Sequence, residues 1–245
     1  MNYGIPMIKT NPMRIRIAFL IAVCLFVVCA SIPLTFSQCG GPHPDPAKIS
    51  IQHNFASGSL KAWDVPFPQD WEILQDGNLH YLHMKRNREP LVPRRPVQFA
   101  LLKGIKVGSF TLNVNVRRAG GSMIVVFNYI DSLHFYYVHL SENPGTQISV
   151  HNGIFIVNGK PRYRIAGLQA TPALPNKAWH HVRIVRNVQT GSIQVFVDKE
   201  KQPRFSVIDH TFTCGQVGLG SFDETGDFSQ FRLQSKDAEV SSNAK

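Results

Sequence analysis

Residues 179–198 read WHHVRIVRNVQTGSIQVFVD. Trp179, His181, Arg183 and Val185 alternate with His180, Val182, Ile184 and Arg186. Successive strand side chains point to opposite faces, so this alternation describes a strand with two unlike sides. A second arm sets Ile193, Val195 and Val197 against Gln194, Phe196 and Asp198. Between the arms stand Asn187, Gln189, Thr190 and Gly191, residues that tolerate the dihedrals of a tight turn. The stretch is a β-hairpin. A lone hairpin is marginal in water, because its apolar face needs a partner. The rest of the chain therefore has to supply a second layer.

It does so with more strands. Phe110, Leu112, Val114 and Val116 face one way, and Thr111, Asn113, Asn115 and Arg117 the other. One side is core and the other a polar sheet surface. Further strands are expected at 49–51, 71–74, 79–84, 98–102, 123–129, 133–140, 146–150, 154–157, 162–165, 204–208, 216–220 and 227–233. Asp76-Gly77-Asn78, Asn152-Gly153 and Asn158-Gly159 supply turns. No segment keeps a 3.6-residue period over three turns. A dozen or more short strands exceed a minimal immunoglobulin-type sandwich. The expected class is all-β, a concanavalin-like jelly roll of two antiparallel sheets.

Outside this domain the chain changes character. Residues 1–16 are polar and basic, and residues 17–30, IAFLIAVCLFVVCA, are unbroken apolar sequence. Small residues follow, with Pro33 among them. That is the plan of a secretory signal over residues 1–37, with cuts that fit before Ser31 or before Gln38. Retained, the same stretch would be an anchor helix, and the chain would touch the membrane only there. Residues 38–48 are a Gly- and Pro-rich linker, 49–235 the jelly roll, and 236–245 a polar, frayed tail. Export to the periplasm, cell surface or medium follows from the signal. Cleavage removes Cys24 and Cys29 and leaves Cys39 and Cys214. Two remaining thiols in an exported protein point to one disulfide. In the chain-entropy model so long a loop is worth up to ~5 kcal/mol.

The net charge is +10 from 26 Lys and Arg against 16 Asp and Glu. Three of the basic residues, Lys9, Arg14 and Arg16, lie in the signal. The others are scattered as pairs such as Arg94/Arg95, Arg117/Arg118 and Arg162/Arg164. Scatter of this kind is a solvated surface rather than a groove for phosphates, and nucleic acid is not expected as a partner. An acidic polysaccharide or an anionic envelope suits such a surface.

Three stretches carry a family resemblance: 127–140 (FNYIDSLHFYYVHL), 179–198, and 216–233 (QVGLGSFDETGDFSQFRL). With the weaker 55–63 (FASGSLKAW) and 71–79 (WEILQDGNL), they resemble secreted bacterial 3-keto-disaccharide hydrolase-type domains. That family is related to family 16 glycoside hydrolases within the concanavalin/laminin G-like jelly rolls. The resemblance implies cleavage of a glycosidic bond in an oxidised or plain glycan. The same fold also carries lectins and adhesion modules, so a non-catalytic glycan-binding module is the alternative. A structural envelope protein is a third reading, if the apolar N-terminus is retained.

Glycosidases usually place two carboxyl groups across the bond. The Glu-x-Asp-x-Glu strand of family 16 has no counterpart here, and Asp223-Glu224-x-x-Asp227 falls around a turn. A 3-keto sugar asks for something else, because its ketone acidifies the C2 proton. Elimination then needs a base and a group that polarises the carbonyl. His139 and His151 are the candidate catalytic bases. Asn152, Arg164, Tyr137, Asp131 and Asp223 are the candidate substrate contacts. Tyr136 and Tyr137 point to opposite faces, so one is core and the other is free to stack on a sugar. Trp63 and Trp179 read as core. A divalent metal such as calcium would draw on Asp131 and Asp223, although no dense Asp cluster stands nearby.

Overall fold

The computed structural model describes residues 1, 47–147 and 151–241. The chain divides into two compact units, Met1–Thr35 and Phe36–Lys245. Of the first only Met1 is described; the second carries the fold. The signal and most of the linker lie outside the described residues.

The order is β1 (Ala47–His53), β2 (Trp63–Asp64), β3 (Trp71–Asp76), β4 (Leu79–Met84), β5 (Gln98–Leu102), β6 (Ile105–Val107), β7 (Phe110–Arg118) and β8 (Ser122–Asp131). Then come β9 (His134–Ser141), β10 (Gly153–Asn158), β11 (Tyr163–Ala166), β12 (His180–Asn187), β13 (Ser192–Val197), β14 (Phe205–Ile208), β15 (Gln216–Ser221) and β16 (Gly226–Val240). A 3-10 turn, Pro68–Asp70, precedes β3. Nine strands form one sheet in the order β14-β13-β12-β7-β16-β4-β3, with β1 and β6 also paired to β16. Seven form the other, β11-β10-β9-β8-β15-β5-β2. The chain is a jelly-roll sandwich of two antiparallel sheets.

The hairpin of residues 179–198 is β12 and β13, paired from Val182↔Val197 to Asn187↔Ser192. Gly191 closes it at φ +71°, the left-handed region open to glycine. Strand β7 keeps its alternation, with Leu112, Val114 and Val116 fully buried. These face Val125, Phe127, Tyr136, Val138, Ile154 and Leu219 of the opposing sheet across one core. Each such side chain contributes about 1.5–3 kcal/mol by leaving water.

Three sequence expectations change. Residues 236–240 are strand, not tail, because β16 runs on to Val240 and pairs Ala238↔Val107 through Val240↔Ile105. Strand β1 begins at Ala47, inside the expected linker. Thr146 lies in a turn, and 148–150 lie outside the described residues. Cys214 is disulfide-bonded. Cys39 lies outside the described residues.

One feature positions the site. The seven-stranded sheet buries its outer face too, through a second apolar cluster of Phe99, Leu101, Ile124, Val126, Phe135, Tyr137, Phe155, Val157 and Phe222. Asn87 and Arg94, from the segment that follows β4, reach this face. The Asn87 amide donates to the Asp223 carbonyl (2.9 Å), and the Arg162 N–H donates to the Arg94 carbonyl (2.9 Å).

Candidate functional site

The site begins with the period of β9. Tyr136, Val138 and Leu140 enter the core, so Phe135, Tyr137 and His139 emerge on the outer face of the seven-stranded sheet. Gly153 pairs opposite His139 and brings no side chain there. Its φ is +145°, and an added Cβ would meet the Ala166 carbonyl oxygen at 2.1 Å. The His151 ring lies 5.4 Å from that of His139. On β15 the outward positions Gly218 and Gly220 are bare, and Phe222 follows them in the same rhythm. Phe222 lies 5.8 Å from His139 and 6.1 Å from His151, ring to ring. Tyr137 stacks on Phe155 at 5.2 Å. The result is an aromatic floor with two imidazoles set into it.

Arginines cover that floor. The Arg162 guanidinium sits 3.9 Å over Phe222 and 5.0 Å over Phe155. Arg94 lies 5.0 Å over Phe222. Arg162 Nη1 donates to the Tyr137 hydroxyl at 2.8 Å. Desolvation strengthens such cation–π contacts. Asp223 is half-buried beside both cations. Burial pushes its carboxyl up and nearby Glu89 adds to this, against the pull of Arg94 and Arg162.

The imidazoles respond to the same field. Burial pushes His151 down to about 4, and Arg162, Arg94 and Arg164 push the same way. Burial holds His139 well below the ordinary imidazole range, with Arg162, His151 and Arg94 adding to it. Both rings are therefore neutral at pH 7. His139 Nε2 is 2.8 Å from Ser122 Oγ, while its buried Nδ1 has no hydrogen-bond partner among the described residues.

A pH dependence follows. An unfolded imidazole takes up a proton near pH 6.5, whereas folded His151 does not until about pH 4. Between those values the unfolded state binds more protons, so stability falls as pH falls through that window. Melting temperature measured from pH 7 to pH 4.5 is expected to drop. The drop should be shallower in His151→Gln. Equal slopes would show that His151 titrates normally.

The sequence-predicted residues separate into two groups. Tyr137, His139, His151 and Asp223 come together. Asn152, Arg164 and Asp131 serve other ends. Asn152 is fully buried; its amide donates to the Thr171 carbonyl (2.7 Å) and its Oδ1 accepts from the Ser141 N–H (3.3 Å). Arg164 Nη1 donates to the carbonyls of Gly145 (2.8 Å) and Asn152 (3.2 Å), fastening a loop. Asp131 accepts from the Leu133 N–H (2.7 Å) and pairs with His134 Nδ1 (2.8 Å), shaping its own turn. Asp131 and Asp223 stand at opposite ends of β8, as the pairings Tyr129↔Gln216 and Ile124↔Gly220 require. They do not combine as a calcium site. Among the described residues no group of three or more His, Cys, Asp or Glu could hold a metal.

Arg94, Arg162, Phe155 and Phe222 are the site residues that sequence reasoning missed. Only Phe222 left a local signal, through the small-residue alternation GLGSF. Trp63 is core (5% exposed). Trp179 is not; it is partly exposed on the outer face of the other sheet.

No family model matches the chain, and no curated protein matches it at a significant level. Solved structures do. The chain is similar to a Bacillus subtilis protein of unknown function with a galectin-like fold, at TM-score 0.53 and 10% identity, covering 80% of this chain and 99% of that one. It is similar to xylan β-1,4-xylosidase from Bacillus halodurans, at TM-score 0.51 and 13% identity, covering 80% of this chain and 41% of that one. The carbohydrate-binding module CBM66 from Bacillus subtilis aligns at TM-score 0.48 and 16% identity, over 71% of this chain and 96% of that one. At these identities the likeness establishes the fold.

Proposed function

We propose that the protein is an exported, carbohydrate-binding jelly-roll module whose ligand is an acidic glycan held at Arg94, Arg162 and His151. The observation that carries this reading is the pair of guanidiniums over the aromatic floor, with Asp223 and Glu89 set beside them. Burial pushes His151 down to about 4, and the charges of Arg162, Arg94 and Arg164 add to it. A sugar carboxylate or sulfate entering there would meet planar, fixed donors that suit bidentate recognition. Tyr137, Phe155 and Phe222 are buried, so they support the arginines instead of offering a stacking surface. The structurally similar Bacillus halodurans protein is a xylan β-1,4-xylosidase, which also acts on a glycan.

The signal over residues 1–37 and the Cys39–Cys214 disulfide belong to this proposal, since both fit an exported chain.

A second reading has its own observation. Asp223 is pushed up and stands within the field of Glu89, while His151 is held neutral beside cations that could polarise a ketone. That arrangement favours elimination from a 3-keto glycoside of the kind the sequence resemblance implies.

One experiment tests both. The protein is titrated calorimetrically with uronate-containing, sulfated and neutral oligosaccharides, and each mixture, with 3-keto disaccharides added to the panel, is read by mass. Saturable, salt-weakened binding of acidic glycans without new products is expected. Products from the keto sugars alone would establish the second reading. No preference for acidic ligands would overturn the first.

A further inference from the structure

We infer that the outer face of the nine-stranded sheet is a second, separate glycan-binding surface, one that takes a neutral oligosaccharide. A groove of about 480 Å³ runs across this face. Gln52, Asn113, Asn115, Gln230, Arg232 and Gln234 are among the residues that line it, with His181 at one side. Its lining holds no carboxylate. A carboxamide offers a donor and an acceptor on one side chain, as a sugar hydroxyl does. A row of amides therefore matches a row of hydroxyls without selecting for charge. Arg232 is turned to Gln52, whose Oε1 accepts from it at 3.4 Å.

The register explains how so many polar groups gather here. Strand β7 presents Thr111, Asn113, Asn115 and Arg117 outward, and β12 presents His181 beside Asn115 and Arg183 beside Asn113. On β16 the pairing jumps from Ser229↔Asn115 to Arg232↔Asn113, which inserts one extra residue. Gln230, in that bulge, has φ +50°, a left-handed conformation uncommon for a glutamine. The bulge lets Phe228 and Phe231, three residues apart, both stay buried, and it turns Gln230 out to solvent. Gln230 Oε1 accepts from the Asn115 amide at 3.0 Å. Bulges and held left-handed residues are devices for re-aiming side chains at binding sites.

An aromatic platform adjoins the groove. Two residues past Asn115, Arg117 lies 4.6 Å over Trp179 and 5.1 Å over Tyr81. Tyr81 and Trp179 meet edge to face at 5.8 Å. Asp227 accepts from Arg117 Nε (2.6 Å) and pairs with His83 Nδ1 (2.7 Å), which neutralises the arginine and fixes the platform. Trp63 and Trp71 are buried, whereas Trp179 is partly exposed. A fixed, partly exposed indole beside an amide-lined groove is a surface for a sugar ring and its neighbours.

The test uses the indole N–H resonances of the full protein, titrated with xylo-, cello- and manno-oligosaccharides of four to six units and with oligogalacturonate. At least one neutral series should shift Trp179 saturably and leave Trp63 and Trp71 unmoved. Asn115→Ala and Trp179→Ala should each weaken that binding about tenfold, the cost of one hydrogen bond or stack. Arg162→Gln, on the opposite sheet, should leave it unchanged, so this surface and the acidic-glycan site can fail independently. The inference is overturned if no neutral oligosaccharide shifts Trp179, if oligogalacturonate alone does, or if Arg162→Gln abolishes the shift. It is also overturned if folded Asn115→Ala binds as the parent does.

Discussion

The Arg186→Met protein is expected to lose about 3–5 kcal/mol of stability, the usual consequence of removing one partner from a buried charged network. Arg186 is 1% exposed and stands in the core-facing row of β12 with His180, Val182 and Ile184. Its Nη1 donates to the carbonyls of Gly191 (2.6 Å) and Asp209 (2.9 Å), and its Nη2 to that of Phe212 (2.9 Å). The guanidinium lies 5.5 Å over the ring of Tyr136, from the opposite sheet. The Tyr136 hydroxyl donates to Asp209 and accepts from the Phe212 N–H (3.0 Å). Burial and Asp209 push that phenol up to about 12. Methionine would fill most of the volume and satisfy none of the carbonyls. A chain of this size loses ~2–4 °C per kcal/mol, so the melting midpoint should fall by about 10 °C. Chemical denaturation gives the free energy directly. Arg186→Lys keeps the charge but not the fork and should fall between. A loss below about 1 kcal/mol would mean that water reaches these carbonyls.

Arg186 also shows where sequence reading reaches its limit. The alternation of residues 179–198 identified a hairpin and its two faces. Nothing in a period of two says that an arginine at the end of the apolar row belongs inside. Its solvation is supplied by carbonyls from Gly191, Asp209 and Phe212, and the last two are far along the chain. Strands with strict alternation, β7 above all, were legible because burial on one side forces the pattern. Strand β6, three residues long, and the end of β16 were not. Both depend on pairing with one another across more than a hundred residues, and the polar sequence SKDAEV carries no period strong enough to announce it.

The site was legible to the same extent. Tyr137 and His139 share a face by simple alternation, whereas His151, read at a strand end or turn, stands as a candidate base without a period to place it. Arg162 and Arg164, two residues apart, could not be told apart from spacing. Only the structure sends Arg164 to loop carbonyls and Arg162 over Phe222. Arg94 comes from a proline-rich stretch without period, so its return across the sheet had no local signal. The same holds on the other sheet, where alternation counted from Phe228 would send Gln230 inward and Phe231 outward, and the one-residue bulge reverses both.

Arg162→Gln is expected to weaken acidic-glycan binding by tenfold to about a hundredfold. A hydrogen bond to a charged group is worth about 1.5–3 kcal/mol, and the change removes one fixed cation from a site that otherwise keeps Arg94. The variant should also alter the protein without ligand. After burial itself, Arg162 is the leading charge depressing both His139 and His151. Without it, His151 should titrate above its present value of about 4, and an NMR titration of its ring protons would show this directly. A merely structural arginine would lower stability and binding together and leave the His151 titration where it was. The combination expected here is different: a folded protein, a raised His151, and weaker binding whose remaining salt dependence is shallower by about one charge. If binding fell but His151 did not move, Arg162 would be too far from the imidazole to shape its field, and the charge reading of the site would fail. If His151 rose while acidic-glycan affinity stayed constant, the field would be real, but its ligand would not be an anion.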